Sequence, residues 1–479
     1  MSEKIFKNSI YNVIQALGTI LFPVLTFSYI SRIFLADGIG RINFVRSMIS
    51  IFTMFSMLGI RLYGIRECSK RRDDKKALSK LFSELLTINI ISVFLAYILL
   101  FCFAGISPKV GEYRSEVYLY SIGMLFGFMG VEWLFTSVED YRYLAIRSLI
   151  VQLISLLAVV MFVHKKDDIS IYILISVMAS GGNNVIALFY ARKYVTFMKI
   201  HIRDLLSHAR PIINLFLVTI FIRVFTDMDT VMVGYLSTES EVGLYSASYK
   251  ISSIISTIIS TATTVVVPRI AYEFEKKSSK ANEILKMSIQ YIWLIGLPLA
   301  VGACIYSQNF IVILSGQGFL DATASSRILS IRTILSPINC MLLLHYLVPR
   351  GNEKESIIIT AAAALGNVVL NACLIPTYGA IGASIATVVA ELIEFIVMRK
   401  YILRYVKLTY VFEGIHHYVF ASVPVAIIAI LTLSIKQELL SIVLGVAIAV
   451  PIYVGMLKLF RNQYFESGLS TIKAMLKHD

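Results

Sequence analysis

The sequence predicts an all-α polytopic membrane protein of about fourteen transmembrane helices, arranged as two pseudo-symmetric six-helix bundles followed by a C-terminal helix pair. Three observations predict it. The first is composition: of 479 residues, 57% are hydrophobic and only 15% charged, against about 45–50% and about 25% in an ordinary soluble domain. The mean hydropathy is +0.76. The second is pattern. Apolar runs of roughly 20 residues, the length that crosses a bilayer as a helix, recur from end to end with short polar punctuation between them. Such long unbroken runs exclude barrel strands, which show alternating segments of about ten residues. The third is repetition: "FLADGIGRINFVRSMISI", "YLSTESEVGLYSASYKISSI" and "PTYGAIGASIATVVAE" each read as a turn with glycine punctuation opening a helix rich in small residues. Aligning Gly40 with Gly243 brings Arg46 within one position of Lys250. Internal repeats of this kind characterise transporters whose two bundles rock about a central site; tight helix hairpins built on small residues are the simpler reading of the same motif.

The spans centre near Leu21, Phe52, Val93, Phe126, Leu156, Val177, Phe221, Ile258, Leu294, Leu342, Val368, Val388, Ala426 and Gly445. The first follows a short basic start, "MSEKIFKNSIYNVIQALGTILFPVLTF", whose apolar part runs on too far for a cleaved signal, so it reads as an uncleaved span. The second is interrupted by Arg46 and Arg61 and the tenth by Arg327 and Arg332, so counts of twelve and thirteen stay open. These elements divide into residues 1–200 as the first bundle, 201–405 as the second, and 406–479 as the pair with its tail.

The net charge of +14 raises nucleic acid as a partner, and the placement of the cations argues against it. Lys and Arg collect in alternate connections: Lys4 and Lys7, the stretch from Arg61 to Lys80, Arg192 to Arg210, Lys276 to Lys280, Arg399 to Lys407, and Lys458 to Lys477. The intervening loops 237–246, 307–324 and 376–379 hold none, and 164–170 holds only Lys165 and Lys166. That is the positive-inside bias, with both termini cytoplasmic. The five cysteines form no CxxC and no paired extracellular set, so neither disulfides nor a zinc site is indicated. HExxH, GxSxG and Walker-type motifs are absent, so the expected cofactor and metal content is none.

Ions inside spans are rare and default to functional hypotheses. "FIRVFTDMDTVMVGY" carries Arg223, Asp227 and Asp229 in the seventh span. Arg223 and Asp227 are four apart and share a face, while Asp229 points roughly 200° away and needs another partner, for which Lys250 is one candidate. A packing network and a cavity lining both fit. Glu132 lies in the fourth span beside Trp133. Glu391 and Glu394, three apart in the twelfth, either share a proton that couples transport to a gradient, or pair as snorkelling groups with Arg399 and Lys400.

The chain resembles the polysaccharide transporter family, the Wzx-type flippases of O-antigen and other lipid-linked oligosaccharides, within the multidrug/oligosaccharidyl-lipid/polysaccharide exporter superfamily. "GIGRINFVRSMISIF", "GIRLYGIRECSKRRDD", "GVEWLFTSVEDYRYLAIRSLIVQLISL", "DMDTVMVGYLSTESEVGLYSASYKI" and "LIPTYGAIGASIATVVAE" carry the resemblance. It implies an inner-membrane flippase, not an enzyme, that turns an undecaprenyl-pyrophosphate-linked oligosaccharide outward by alternating access. Expected partners are that lipid, membrane lipids, and a polysaccharide polymerase with its chain-length regulator; coupling is to a proton or sodium gradient. Moving a diphosphate through about 30 Å of hydrocarbon requires a polar, cationic lining. Arg32, Arg46, Arg223, Lys250, Arg327 and Arg332 are the candidates, arginine being suited to bidentate phosphate contacts. Asp227, Asp229, Glu132, Glu391 and Glu394 are candidates for the charge network or coupling. A cation-coupled multidrug exporter would favour carboxylates in the cavity. A membrane polysaccharide polymerase would need a large outside loop, and a scaffold for a synthesis complex is the last alternative.

Overall fold

This computed structural model describes residues 2–264, 266–276, 280–407 and 409–467; within the helices, side chains of 2–14 and 221–226, among others, lie outside that description. No strand occurs among the described residues. The helices that build the two units include α1 (Ser2–Met57), α2 (Ile60–Ser69), α3 (Lys75–Ile106), α4 (Arg114–Leu125), α5 (Glu132–Ser137), α6 (Tyr141–Phe162), α7 (Ile169–Ala191), α8 (Ile202–Leu236), α9 (Glu239–Thr264), α10 (Lys280–Ile305), α11 (Ala322–Leu342), α12 (Glu353–Ile402), α13 (Ile415–Thr432) and α14 (Glu438–Leu459).

Ten stretches of the described residues are long and apolar enough to cross a membrane, and two of them, 52 and 49 residues long, are too long for one crossing. At 1.5 Å per residue either would extend beyond 70 Å, more than twice a hydrocarbon core of about 30 Å. Each contains a backbone break that reverses the chain: Leu35, at φ 57 and ψ −170, in α1, and Gly379, at φ 51 and ψ −127, in α12. Counting these as two crossings each and adding α8 and α9 gives the expected fourteen. Phe94, Leu365 and Leu431 are each 67% exposed. In a chain of crossing helices such large exposed apolar side chains form the lipid-facing surface.

The chain divides into two compact units, Met1–Gly243 and Leu244–Asp479. In the first, α1 packs on α3, α6 and α8, and α7 packs on α4 and α6. A buried cluster of Tyr63, Phe82, Leu85, Trp133, Phe135 and Ile212 ties α2, α3, α5 and α8 together. Two glycines make one close crossing possible. A Cβ at Gly40 would lie 1.7 Å from the Glu239 carbonyl oxygen, and one at Gly243 would lie 2.0 Å from the Ala36 carbonyl oxygen. The two positions aligned as a repeat thus meet backbone to backbone, the contact that small residues permit in membranes. Phe44 fills the space beside it, 5.4 Å in ring separation from both Tyr113 and Tyr235.

In the second unit, α10 packs on α11 and α13, α11 on α12, and α13 on α14. Leu285, Ile289, Met341, Tyr346, Met398 and Tyr418 lie at its core. Serine hydroxyls join α9 to α11: Ser248 donates to the Ala322 carbonyl at 2.9 Å and Ser252 to the Leu329 carbonyl at 3.0 Å. The break in α12 is closed by Gly382, whose Cβ position lies 2.6 Å from the Leu374 carbonyl oxygen.

Candidate functional site

The second unit buries a charged cluster between α11 and α12. Arg332 and Asn339 are seven apart on α11, about two turns, so both face α12. Glu391 and Glu394, three apart, face back. The Arg332 Nε lies 3.3 Å from Glu391 Oε1. The Asn339 amide donates to Glu391 Oε2 at 2.9 Å and to Glu394 Oε2 at 3.3 Å. From α9, the Tyr249 hydroxyl accepts from Arg332 Nη2 at 3.3 Å, and its ring centroid lies 4.7 Å from the guanidinium carbon. Glu391 is 1% and Glu394 8% exposed. Two carboxylates therefore converge on one amide with a single guanidinium beside them, so the cluster holds one more acidic than basic side chain. The snorkelling alternative is corrected: both carboxylates turn inward to Arg332 and Asn339, while Arg399 and Lys400 are exposed. Burying the carboxylates in this hydrogen-bonded cluster satisfies them better than a lone lipid-facing pair would.

Elsewhere in this unit, Arg327 lies exposed on α11, five residues from Arg332 and so on a different face, and Lys250 is partly buried on α9.

In the first unit, Arg32 is exposed in the last turn before the α1 break, and its Nη1 donates to the Ser28 carbonyl and hydroxyl at 2.5 and 2.6 Å. Arg46 is exposed on the second half of α1. Asp227 on α8 accepts from the Ser50 hydroxyl at 2.7 Å, which joins α8 to α1. Asp229 is 1% exposed. The side chain of Arg223 lies outside the described residues, and with it the expected pair with Asp227. Glu132, at the start of α5, pairs with Arg147 Nη2 of α6 at 2.5 Å.

Three participants were not among the sequence candidates. Arg147 is the buried partner of Glu132, its side chain only 3% exposed; a lone arginine inside the apolar run "LAIRSLIVQLI" was its signal. Arg41 pairs with the buried Glu116 at 2.5 Å, close to Tyr113, whose hydroxyl donates to Glu239 at 2.6 Å. Burial and the adjacent Glu239 carboxylate push the Tyr113 phenol up. Asn339 is uncharged and left no signal beyond a polar residue in an apolar span.

Comparison with known proteins relates the chain to a family, to two curated relatives and to two solved structures. The family model described as polysaccharide biosynthesis protein matches residues 5–272. A putative O-antigen transporter of Escherichia coli K12 is 21% identical over 387 residues, covering 80% of this chain and 93% of the relative. A probable low-salt glycan biosynthesis flippase, Agl15 of Haloferax volcanii, is 22% identical over 191 residues, covering 39% and 40%. Among solved structures, the lipid II flippase MurJ in an inward closed conformation superposes with a TM-score of 0.77 at 12% identity, covering 96% of this chain and 99% of that one. The multidrug transporter DinF-BH gives 0.63 at 14% identity, covering 86% and 97%.

Proposed function

Because the chain belongs to the polysaccharide biosynthesis protein family, we propose that it is a flippase for a lipid-linked oligosaccharide. It turns an undecaprenyl-pyrophosphate-linked repeat unit, of O-antigen or a similar surface polysaccharide, from the cytoplasmic to the outer leaflet of the inner membrane. It makes and breaks no covalent bond. The observation that carries this reading is the likeness to the E. coli chain named putative O-antigen transporter, which runs over 93% of that relative's length. The buried ions of both units are consistent with it, since a polar cargo needs polar groups inside an apolar bundle.

In this reading Arg32, Arg46, Arg223, Lys250, Arg327 and Arg332 contact the phosphates or acidic sugars. The Glu391 and Glu394 pair takes the coupling proton or sodium ion, and Glu132, Asp227 and Asp229 belong to charge networks. Both termini are cytoplasmic, and the polymerase and chain-length regulator act on the cargo afterwards. A cation-coupled drug exporter is the second reading, favoured by the two carboxylates beside Asn339. Deleting the gene and extracting the lipids separates the two. A complete lipid-linked repeat that accumulates while surface glycan falls supports the flippase. Normal surface glycan with new sensitivity to cationic drugs overturns it in favour of the exporter.

A further inference from the structure

A polar site apart from the candidates above lies in the first unit, where α2 and the first turns of α3 and α8 meet. A cavity of about 270 Å³ opens there, lined in part by Arg71, Lys80, Glu84, Asp204, Ser207 and His208. At about 30 Å³ per water it has room for a group larger than one or two solvent molecules. Lys80 and Ser207 are exposed and His208 is buried, so the cavity runs from the surface inward. Its inner end is fixed by the histidine ring, whose Nδ1 lies 2.7 Å from the Tyr63 hydroxyl and whose Nε2 lies 2.9 Å from Glu84 Oε2.

The wall carries both signs in balance. Lys80 stands between two carboxylates, 3.2 Å from Asp204 and 3.7 Å from Glu84. Arg71, in the turn after α2, supplies the second cation. Its hydrogen bonds to the Glu67 carbonyl and to Glu67 Oε2, each 3.0 Å, both come from Nη1, and among the described residues its Nε and Nη2 make none. Glu67 is shared with Arg66 and Lys70 at 3.2 and 2.8 Å. Arg71 thus keeps a free guanidinium edge, the kind that takes phosphate oxygens in pairs. Asp204 is bridged by Lys80 alone and its side chain is 32% exposed, so carboxylate oxygen remains for a donor. A net anion entering this wall meets Glu84 and Asp204, and a net cation meets Arg71 and Lys80. A ligand with one phosphate and one ammonium meets neither penalty.

The surroundings say what carries such a group. Leu206 and Ile213 on α8, seven apart and so on one face, are 69% and 51% exposed. Phe197, packed on Phe82 of α3 at 5.8 Å, is 53% exposed. Large apolar side chains exposed on a crossing helix face acyl chains. Ser207 directly follows Leu206, so the polar cavity begins where the lipid-facing strip ends, at the level of the headgroups. We infer that this cavity binds the zwitterionic aminophosphate headgroup of a membrane phospholipid. Its phosphate lies on Arg71, its ammonium on Asp204 and Glu84, and its acyl chains run along Leu206 and Ile213. A bound headgroup then joins the turn after α2 to the first turns of α3 and α8. The inference goes beyond the proposed cargo and does not depend on it.

The test is native mass spectrometry of the full-length protein in detergent, titrated with phosphatidylethanolamine, phosphatidylcholine or phosphatidylglycerol of the same acyl chains. The natural chain is compared with Asp204→Asn and Arg71→Gln. The natural chain is expected to hold one phosphatidylethanolamine about tenfold more tightly than phosphatidylcholine, whose quaternary ammonium has no N–H to donate; that is the worth of one hydrogen bond to a charged group. Arg71→Gln weakens phosphatidylethanolamine by about tenfold for the same reason on the phosphate side. Asp204→Asn loses the preference for ethanolamine and, with the wall left net positive, binds phosphatidylglycerol more tightly instead. A natural chain that prefers phosphatidylglycerol or does not distinguish the three lipids overturns the inference, as does an unchanged preference in Asp204→Asn. Displacement of the lipid by an equal concentration of free O-phosphoethanolamine overturns it in favour of a soluble ligand. Where Arg71→Gln does not accumulate, Asp204→Asn decides alone.

Discussion

Replacing Arg332 by Met tests whether the cluster between α11 and α12 is an electrostatic unit. The guanidinium lies 3.3 Å from Glu391, and the two side chains are 10% and 2% exposed. At that distance and an effective dielectric constant of about 20, the attraction is about 5 kcal/mol. Removing one partner of such a buried pair costs about 3–5 kcal/mol, mostly because the other charge is left without compensation. In a cooperative unit the size of Leu244–Asp479, 1 kcal/mol corresponds to about 2 °C, so Arg332→Met melts about 6–10 °C lower. Glu391→Gln loses less, because Glu394 remains 3.3 Å from Asn339 as a second carboxylate. The double variant Arg332→Met/Glu391→Gln recovers at least half of the loss, since no unmatched pair is left. Thermal unfolding of all four proteins, followed by size-exclusion of the soluble fraction in one detergent, supplies the cycle. An Arg332→Met protein melting within about a degree of the natural chain, or a double variant no better than the worse single, refutes the reasoning.

Two further outcomes follow from the first unit. Gly40→Val places a side chain where a Cβ already sits 1.7 Å from the Glu239 carbonyl, so the α1 and α9 backbones must separate by over an ångström. A loss of about 3 kcal/mol or more is expected, read as lowered membrane yield and melting temperature, whereas a fully stable Gly40→Val protein would contradict the close crossing. For the Arg147–Glu132 pair, with side chains 3% and 38% exposed, the effects are unequal. Glu132→Ala strands a buried guanidinium and costs about 3 kcal/mol, while Arg147→Met leaves a carboxylate that is already partly exposed and costs about 1 kcal/mol. Equal melting temperatures for the two variants would show that Arg147 is not buried as described.

Much of the fold was legible because membrane helices obey a local rule: the solvent demands apolar runs of fixed length, and these can be read one at a time. The reversal in the first long helix was legible from "FLADGIG", and that in the twelfth from "PTYGAIG", because glycine and short polar residues mark turns locally. Partners were not legible. Glu84 is visible as a carboxylate in the apolar run "LFSELLTI", yet His208 lies 124 positions away, and nothing in either stretch names the other. Glu132 and Arg147 are only 15 apart, but a turn separates their helices, so no helical periodicity relates them.

The sequence by itself determined that this is a polytopic helical membrane protein, about how many times it crosses, and which residues are charged inside the spans. These follow from hydrophobicity and periodicity, properties of segments taken one by one. Only the tertiary structure decided that Glu391 and Glu394 turn inward to Arg332 and Asn339, that Gly40 and Gly243 meet backbone to backbone, and that His208 sits between Tyr63 and Glu84. Each of these is a contact between helices distant in sequence. The energy of a buried charge depends on which partner lies within about 4 Å of it, a quantity fixed by how helices pack rather than by the run of residues on either one.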